Sequence, residues 1–256
     1  MSKDKKDDII AKAKKQFDKD FFTEGYIDII SDDKHLEKIL NDIDVKTNNR
    51  ILDLGTGSGY IAFPLACKSK EIEVVGLDIV DNTIRRNNEI VKEKEIENLK
   101  FDNYDGVNIP YEDNTFNVMV TRYALHHFPN IEDTIKQLQK IIKLGGQVYI
   151  SDPTPNKIDN KRFVDKYMQL RDDGHVKFYT KHEYIALLEK YGFELENIFI
   201  SKIRFSRAVD NRYYELMKSY EEEIIKAYDV EVIDDRIYIT EDVLNMRFRK
   251  NAKHWL

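Results

Sequence analysis

The spacing of apolar residues changes three times along the chain, and each change predicts a different kind of structure. From residue 1 to about 45 they recur at helical intervals, as Ile9, Ala13 and Phe17 illustrate. From residue 50 to 152, short apolar runs alternate with helical segments, and strands are predicted at 51–54, 73–78, 99–101, 116–121 and 147–151. This alternation predicts right-handed βαβ units and therefore a parallel sheet.

The last hundred residues mix helices with two further strands. Between residues 157 and 191 the helical spacing returns, with Thr180 and Glu183 at capping-box spacing and Gly192 as a stop. A strand follows at about 195–203, then a charged helix at about 210–228. A final strand is predicted at about 243–249, where apolar and polar residues alternate.

Composition and charge exclude several classes of protein. Of the 256 residues 41% are hydrophobic and 34% charged, and no apolar run approaches the roughly 20 residues that span a bilayer. We expect a cytoplasmic protein, because the first eight residues are mostly charged and the chain has a single cysteine, Cys67. A net charge of -6 argues against nucleic acid as a partner.

The segment 51–60, ILDLGTGSGY, is an apolar strand that runs into a glycine-rich turn and then a helix. Glycine at 55, 57 and 59 lets the backbone turn sharply and approach a ligand closely, although an ordinary tight turn is the alternative. A dinucleotide fingerprint requires glycine at position 60, where this chain has Tyr60. The observed spacing is typical of proteins that bind S-adenosylmethionine, which has no pyrophosphate to place at a helix N-terminus.

Two acids accompany this turn. Asp53 precedes it and can lie near the ammonium group of the cofactor. Asp78 ends the second predicted strand, where its carboxylate can accept hydrogen bonds from both ribose hydroxyls. For Asp78 the alternative is a surface acid at a helix N-terminus.

Four further segments follow in order: 105–111 (DGVNIPY), 116–120 (FNVMV), 122–128 (RYALHHF) and 142–146 (IKLGG). With the glycine turn and Asp78, they resemble the class I methyltransferases, and among them the small-molecule group that includes ubiquinone/menaquinone C-methyltransferase-like enzymes. The resemblance covers about residues 17–193 and departs from the family at Pro64, Asn117 and Leu144.

The resemblance implies an α/β, Rossmann-like, doubly wound sheet of seven strands in the order 3-2-1-4-5-7-6, with the last strand antiparallel and a helical cap. The expected units are an N-terminal lid (1–45) and a methyltransferase domain (46–256), with a cap insertion at about 155–192 and a helical insertion at about 208–230. In the family the acid corresponding to Asp105 accepts from the adenine amino group. The expected contacts of S-adenosylmethionine, or of its product S-adenosylhomocysteine, are Asp53, Gly55, Thr56, Gly57, Gly59, Asp78, Ile79, Asp105, Gly106 and Arg122.

The acceptor is expected beside the fourth strand, at the carboxyl end of the sheet. His127 is the preferred base or orienting group, and His126, His175 and Tyr26 are the candidate acceptor contacts. Tyr26 is also a candidate lid residue, together with Phe22. The alternative for all of them is ordinary packing or solvent exposure. No residue pattern indicates a metal site.

The sequence therefore predicts an S-adenosylmethionine-dependent methyltransferase that transfers a methyl group in line to a small-molecule acceptor. Three alternatives remain: a nucleic-acid or protein methyltransferase, a dinucleotide oxidoreductase, and a non-catalytic S-adenosylmethionine-binding protein. The position of Tyr60 disfavours the oxidoreductase.

Overall fold

The computed structural model describes residues 1–21, 23 and 31–251. Two helices, α1 (Lys3–Asp20) and α2 (Asp33–Asp42), precede the first strand. The helical structure predicted for the N-terminal region is therefore confirmed over the described residues. Asp32 caps α2 by accepting a hydrogen bond from the backbone N–H of His35.

Five parallel strands form the first part of the sheet: β1 (Arg50–Leu54), β2 (Glu73–Asp78), β3 (Leu99–Asn103), β4 (Phe116–Arg122) and β5 (Ile142–Thr154). The helices α3 (Ala62–Lys68), α4 (Asp81–Glu93) and α5 (Ile131–Ile141) lie between them in the chain. All five strands were predicted near these positions. A short 3-10 turn, Leu125–His127, follows β4.

The remaining elements are α6 (Phe163–Gln169), α7 (Lys181–Lys190), β6 (Phe193–Ala208), α8 (Asn211–Lys218), α9 (Glu222–Lys226), β7 (Glu231–Ile233) and β8 (Arg236–Lys250). Thr180 and Glu183 form the predicted capping box of α7. The prediction of a single helix at about 210–228 is wrong, because this segment forms two separate helices, α8 and α9.

The sheet order is β3-β2-β1-β4-β5-β8-β6, and β8 runs antiparallel to both of its neighbours. This confirms the predicted fold, with β8 in the place of the seventh strand. The short strand β7, which pairs with β8, is an addition to the predicted sheet. Within the described chain, no helix is both long and apolar enough to span a bilayer.

The strands β6 and β8 are longer than predicted and extend beyond the edge of β5. Residues 203–208 of β6 pair with residues 236–241 of β8 after the pairing of β5 with β8 has ended. We call this extension of β6 and β8 the ribbon, and β7 pairs with residues 236–238 of it. Buried aromatic and aliphatic residues join it to α6, α8 and α9 in a separate core cluster that includes Phe163, Tyr167, Phe205, Tyr228 and Ile237.

The main core lies on both faces of the sheet, because successive strand residues point to opposite sides. Ile51 packs on the face covered by α2, α3 and α4, whereas Leu52 packs on the face covered by α5 and α7. Both side chains are fully buried. This packing fixes the carboxyl ends of β1, β2 and β4 relative to one another.

Candidate functional site

A cavity of about 890 Å³, its open mouth included, lies at the carboxyl ends of β1, β2 and β4. Its floor comes from the glycine turn after β1, from the end of β2 and from the segment after β4. Its cover comes from α1, through Ile10, Ala13 and Phe17, and from Phe21 directly after α1. We call this space the first cavity.

At two positions of the turn, a positive φ and a close neighbour both favour glycine. Gly55 has a φ of +72°, and a Cβ there would lie 2.5 Å from the Cβ of Ala124. Gly57 has a φ of +50°, and a Cβ there would lie 3.0 Å from the ring of Phe21. The turn therefore lies close to both the segment after β4 and the end of α1.

Asp78 is held at the cavity floor by backbone donors. Its Oδ2 accepts from the N–H of Gly57 at 2.9 Å, and its Oδ1 accepts from the N–H of Val80 at 3.1 Å. Only 5% of the residue is exposed. Burial raises the pKa of Asp78, and the hydrogen bonds from Gly57 and Val80 partly oppose that effect.

Asp53 lies beside Asp78 in the same floor. Its Oδ2 accepts from the hydroxyl of Thr56 at 2.7 Å. Burial raises the pKa of Asp53 to about 7, with a further contribution from the charge of Asp78, whereas the hydrogen bond from Thr56 lowers it. A cation in the cavity would favour the ionised carboxylate.

The structure brings most of the predicted cofactor residues together. Thr56, Ile79, Gly106 and Arg122 line the first cavity with Asp53, Asp78, Gly55 and Gly57. The guanidinium of Arg122 lies 4.5 Å from the ring centroid of Tyr60 and 3.9 Å from that of Tyr123.

Two predicted cofactor residues lie outside the cavity lining. A Cβ at Gly59 would lie 2.6 Å from the ring of Phe63, so this glycine allows the turn to pack against α3. Asp105 is exposed and accepts hydrogen bonds from the backbone N–H groups of Val107 and Asn108, at 2.8 and 2.6 Å. Its neighbours Tyr104 and Gly106 line the cavity instead.

The described residues supply part of the aromatic cover of the cavity. Tyr26 and Phe22, the predicted lid residues, lie outside the described residues. Phe17 and Phe21 occupy the cover, with ring centroids 5.1 Å apart. The helical spacing of Ile9, Ile10, Ala13 and Phe17 in the sequence marked a buried face but did not show which surface that face covers.

His127 lies where the first cavity meets a second one. Its ring contacts Phe17 edge-on, with centroids 4.9 Å apart, and lies 4.2 Å from the ring of His126. Its Nδ1 is buried and has no hydrogen-bond partner among the described residues. Burial and the neighbouring histidines His126 and His175 hold its pKa well below the usual value, so the ring is neutral.

His126 is fixed by a buried carboxylate. Its Nδ1 donates to Asp152 at 2.9 Å, and the hydroxyl of Tyr184 donates to the other oxygen of Asp152 at 3.0 Å. The backbone carbonyl of His126 also accepts from the N–H of Val176 at 2.8 Å. This network positions the segment that carries His127.

His175 lies behind the other two histidines. Its Nε2 is 3.0 Å from Asp165, and its ring centroid is 5.4 Å from that of His126. Its side chain has no exposed surface, and it lines neither cavity. Burial lowers the pKa of His175 even though Asp165 opposes that effect. Any effect of His175 on an acceptor therefore passes through His126 or His127.

The second cavity, of about 560 Å³ with its mouth, adjoins the first. The two share Phe17, Tyr123 and His127. The ribbon forms the opposite wall with Ile203, Phe205, Arg207 and Glu241, none of which the sequence singled out. Glu241 occurs in an alternating strand, where an acid looks like a solvent-facing residue.

Comparisons with known proteins agree with this geometry. Residues 32–198 match the family model of a methyltransferase domain. The chain is 25% identical over 162 residues to an uncharacterized methyltransferase of Bacillus subtilis, YcgJ, covering 62% of each protein. It is 32% identical over 127 residues to a demethylmenaquinone methyltransferase of Staphylococcus aureus, covering 47% of this chain and 51% of that protein. The matches therefore span less than two thirds of these relatives.

Among solved structures, a proposed methyltransferase of Bacillus halodurans superposes with a TM-score of 0.74. The superposition covers 86% of this chain and 100% of the other, at 23% sequence identity. At 23% sequence identity, this similarity shows that the two proteins share a fold.

Proposed function

The chain belongs to the methyltransferase-domain family, and we propose that it is an S-adenosylmethionine-dependent methyltransferase acting on a small-molecule acceptor. The observation that carries this proposal is the floor of the first cavity. There the glycine turn delivers the N–H of Gly57 to Asp78 and leaves the carboxylate at the cavity wall.

The residues of the first cavity fit S-adenosylmethionine. Each oxygen of Asp78 accepts one backbone hydrogen bond and keeps a second lone pair for a ribose hydroxyl. Asp53 supplies a negative charge for the ammonium group. Ile79, Tyr104 and Gly106 supply a largely apolar wall for the adenine ring. The predicted contact of Asp105 with the adenine amino group stays a prediction.

When bound between the glycine turn and Asp78, S-adenosylmethionine would supply an electrophilic methyl carbon for transfer to the acceptor. The protein's task is alignment and exclusion of water. Phe17 and Phe21 cover the site, and we propose that residues 1–45 act as its lid. His127 is a weak base because its pKa is low, so we assign it to orienting the acceptor through the unpartnered Nδ1.

The test is isothermal titration of the protein with S-adenosylmethionine, S-adenosylhomocysteine and NADH in parallel. We expect the first two to bind and NADH not to bind, because the dinucleotide fingerprint requires glycine at position 60, where this chain has Tyr60. Binding of NADH alone would replace this proposal with an oxidoreductase.

A further inference from the structure

Glu241 is a buried acid without a partner in the wall of the second cavity. It is 1% exposed, and neither carboxyl oxygen has a hydrogen-bond partner among the described residues. Burial raises its pKa to about 8. Burying an unpartnered carboxyl group costs folding free energy, so the group calls for an explanation beyond packing.

Other buried acids of the same region are fully partnered. Asp159 accepts from the N–H groups of Phe163 and Val164, at 2.7 and 3.0 Å, and from the hydroxyl of Tyr228 at 2.7 Å. Asp165 likewise accepts from the N–H of Phe178 at 2.8 Å. The fold therefore supplies donors to acids that serve structure, and Glu241 differs from them.

Arg207 is a basic group in the same cavity wall. It lines the wall with Glu241, and its positive charge partly offsets the effect of burial on the pKa of Glu241. No ion pair joins the two in the described part of the chain. The guanidinium of Arg207 lies 4.7 Å from the ring of Phe205, whereas Arg171 in the same cavity pairs with Asp20 and Asp173. Arg207 and Glu241 therefore line the same cavity without pairing with each other, and each is open to a complementary group of a ligand.

The rest of the cavity is suited to an apolar body. Met168, Phe178, Ile203 and Phe205 line it, and it shares Phe17 and His127 with the first cavity. A molecule held here would have one end next to Glu241 and Arg207 and another part against Phe17 and His127, which also line the proposed cofactor cavity. Pockets with apolar walls and a few placed polar groups are typical ligand sites.

We propose that the second cavity is the acceptor site and that it selects an amphoteric small molecule with an apolar body. Glu241 receives the hydrogen-bond donors of an amine, and Arg207 receives an anionic group such as a carboxylate. This inference rests on the proposed function, because it places the acceptor beside the proposed cofactor cavity.

The test uses three probes that share a phenyl ring: L-phenylalanine, phenethylamine and 3-phenylpropanoate. Each is titrated into the protein saturated with S-adenosylhomocysteine. We expect L-phenylalanine to bind at least about tenfold more tightly than either single-charge analogue, because only it engages both Glu241 and Arg207. In Glu241→Gln its affinity should fall to that of 3-phenylpropanoate.

Two controls separate recognition from folding. Asp242→Asn changes the adjacent residue, whose side chain points to the other face of the strand, and should leave the binding of L-phenylalanine unchanged. Glu241→Gln should melt at or above the wild-type temperature at pH 7, because no partner is lost. A lower melting temperature would make Glu241 a structural residue and overturn the inference.

The outcomes also separate this inference from the proposed function. Binding of S-adenosylhomocysteine without any preference for L-phenylalanine would overturn the acceptor assignment and leave the cofactor assignment in place. Failure to bind S-adenosylhomocysteine would overturn both.

Discussion

The two cavities are built in different ways. The acids of the first cavity, Asp53 and Asp78, are held by hydrogen bonds from the glycine turn that separates β1 from α3 and from the residue at position 80. The second cavity combines α1, the segment after β4, α6 and the ribbon, and its acid Glu241 has no partner among the described residues. In the first cavity, donors of the protein hold the acids in place. In the second cavity, we propose that donors of the ligand take that role for Glu241.

The largest effect is expected at the floor of the first cavity. Asp78→Ala removes the carboxylate that accepts from Gly57 and Val80, and with it the two charge-assisted bonds that we propose it makes to the ribose of the cofactor. We expect affinity for S-adenosylhomocysteine to fall on the order of 100-fold in titration calorimetry. The exposed neighbour Asp81, which pairs with Lys14, provides the control Asp81→Ala. Equal losses in the two variants would remove the special role of Asp78.

The next largest effect is a pH dependence of the free energy of unfolding, caused by the titration of Glu241. Its pKa is 4.5 in an ordinary environment and about 8 in the folded chain. Between these pH values the folded state holds the extra proton, so the free energy of unfolding falls as the pH rises and levels off above pH 8. Charges of Arg207, Asp152 and Asp165 act on the same group.

Glu241→Gln removes this proton linkage. Relative to wild type, its melting temperature should therefore rise between pH 5 and pH 9, on the order of 5 °C in scanning calorimetry. Asp242→Asn should show no such trend. If the melting temperatures of wild type and Glu241→Gln change with pH in parallel over this range, Glu241 is not a buried acid with a raised pKa.

The first cavity was largely predictable from the sequence because its parts are local. The glycine turn and the end of β2 follow from residue spacing within short segments, and the resemblance to the methyltransferase family supplies the strand order. Asp53 and Asp78 lie at the ends of the two predicted strands that meet at this turn. Gly59 and Asp105 belong to the predicted motifs but do not line the cavity. A motif identifies a position in the chain without showing what the atoms at that position contact.

The second cavity was not predictable in the same way. The alternation in β8 predicts a strand but not how far it extends past β5, so the ribbon and the burial of Glu241 depend on tertiary packing. In the same way, the helical spacing of α1 predicts a buried face without identifying Phe17 as the wall between the two cavities.

A smaller effect on cofactor binding is expected at Phe17, which lines both cavities. Phe17→Ala removes the ring that lines both cavities and contacts His127. We expect S-adenosylhomocysteine to dissociate about tenfold faster in stopped-flow experiments, because apolar cover worth about 1.4 kcal/mol is lost. Phe17→Leu should restore most of the retention, and the exposed change Lys15→Ala should have no effect. An unchanged dissociation rate in Phe17→Ala would show that α1 does not close the site.

The smallest effect is expected at Asp152, a buried acid that, unlike Glu241, accepts hydrogen bonds from neighbouring side chains. Tyr184→Phe keeps the buried ring but removes the donor to Asp152, 3.0 Å away. The free energy of unfolding should fall by about 1 kcal/mol, which lowers the melting temperature by about 2–4 °C at pH 7. Glu241→Gln, measured in the same experiment, should cause no decrease, because it breaks no hydrogen bond. If both variants lost the same stability, the contrast between an acid held by the fold and one left for a ligand would disappear.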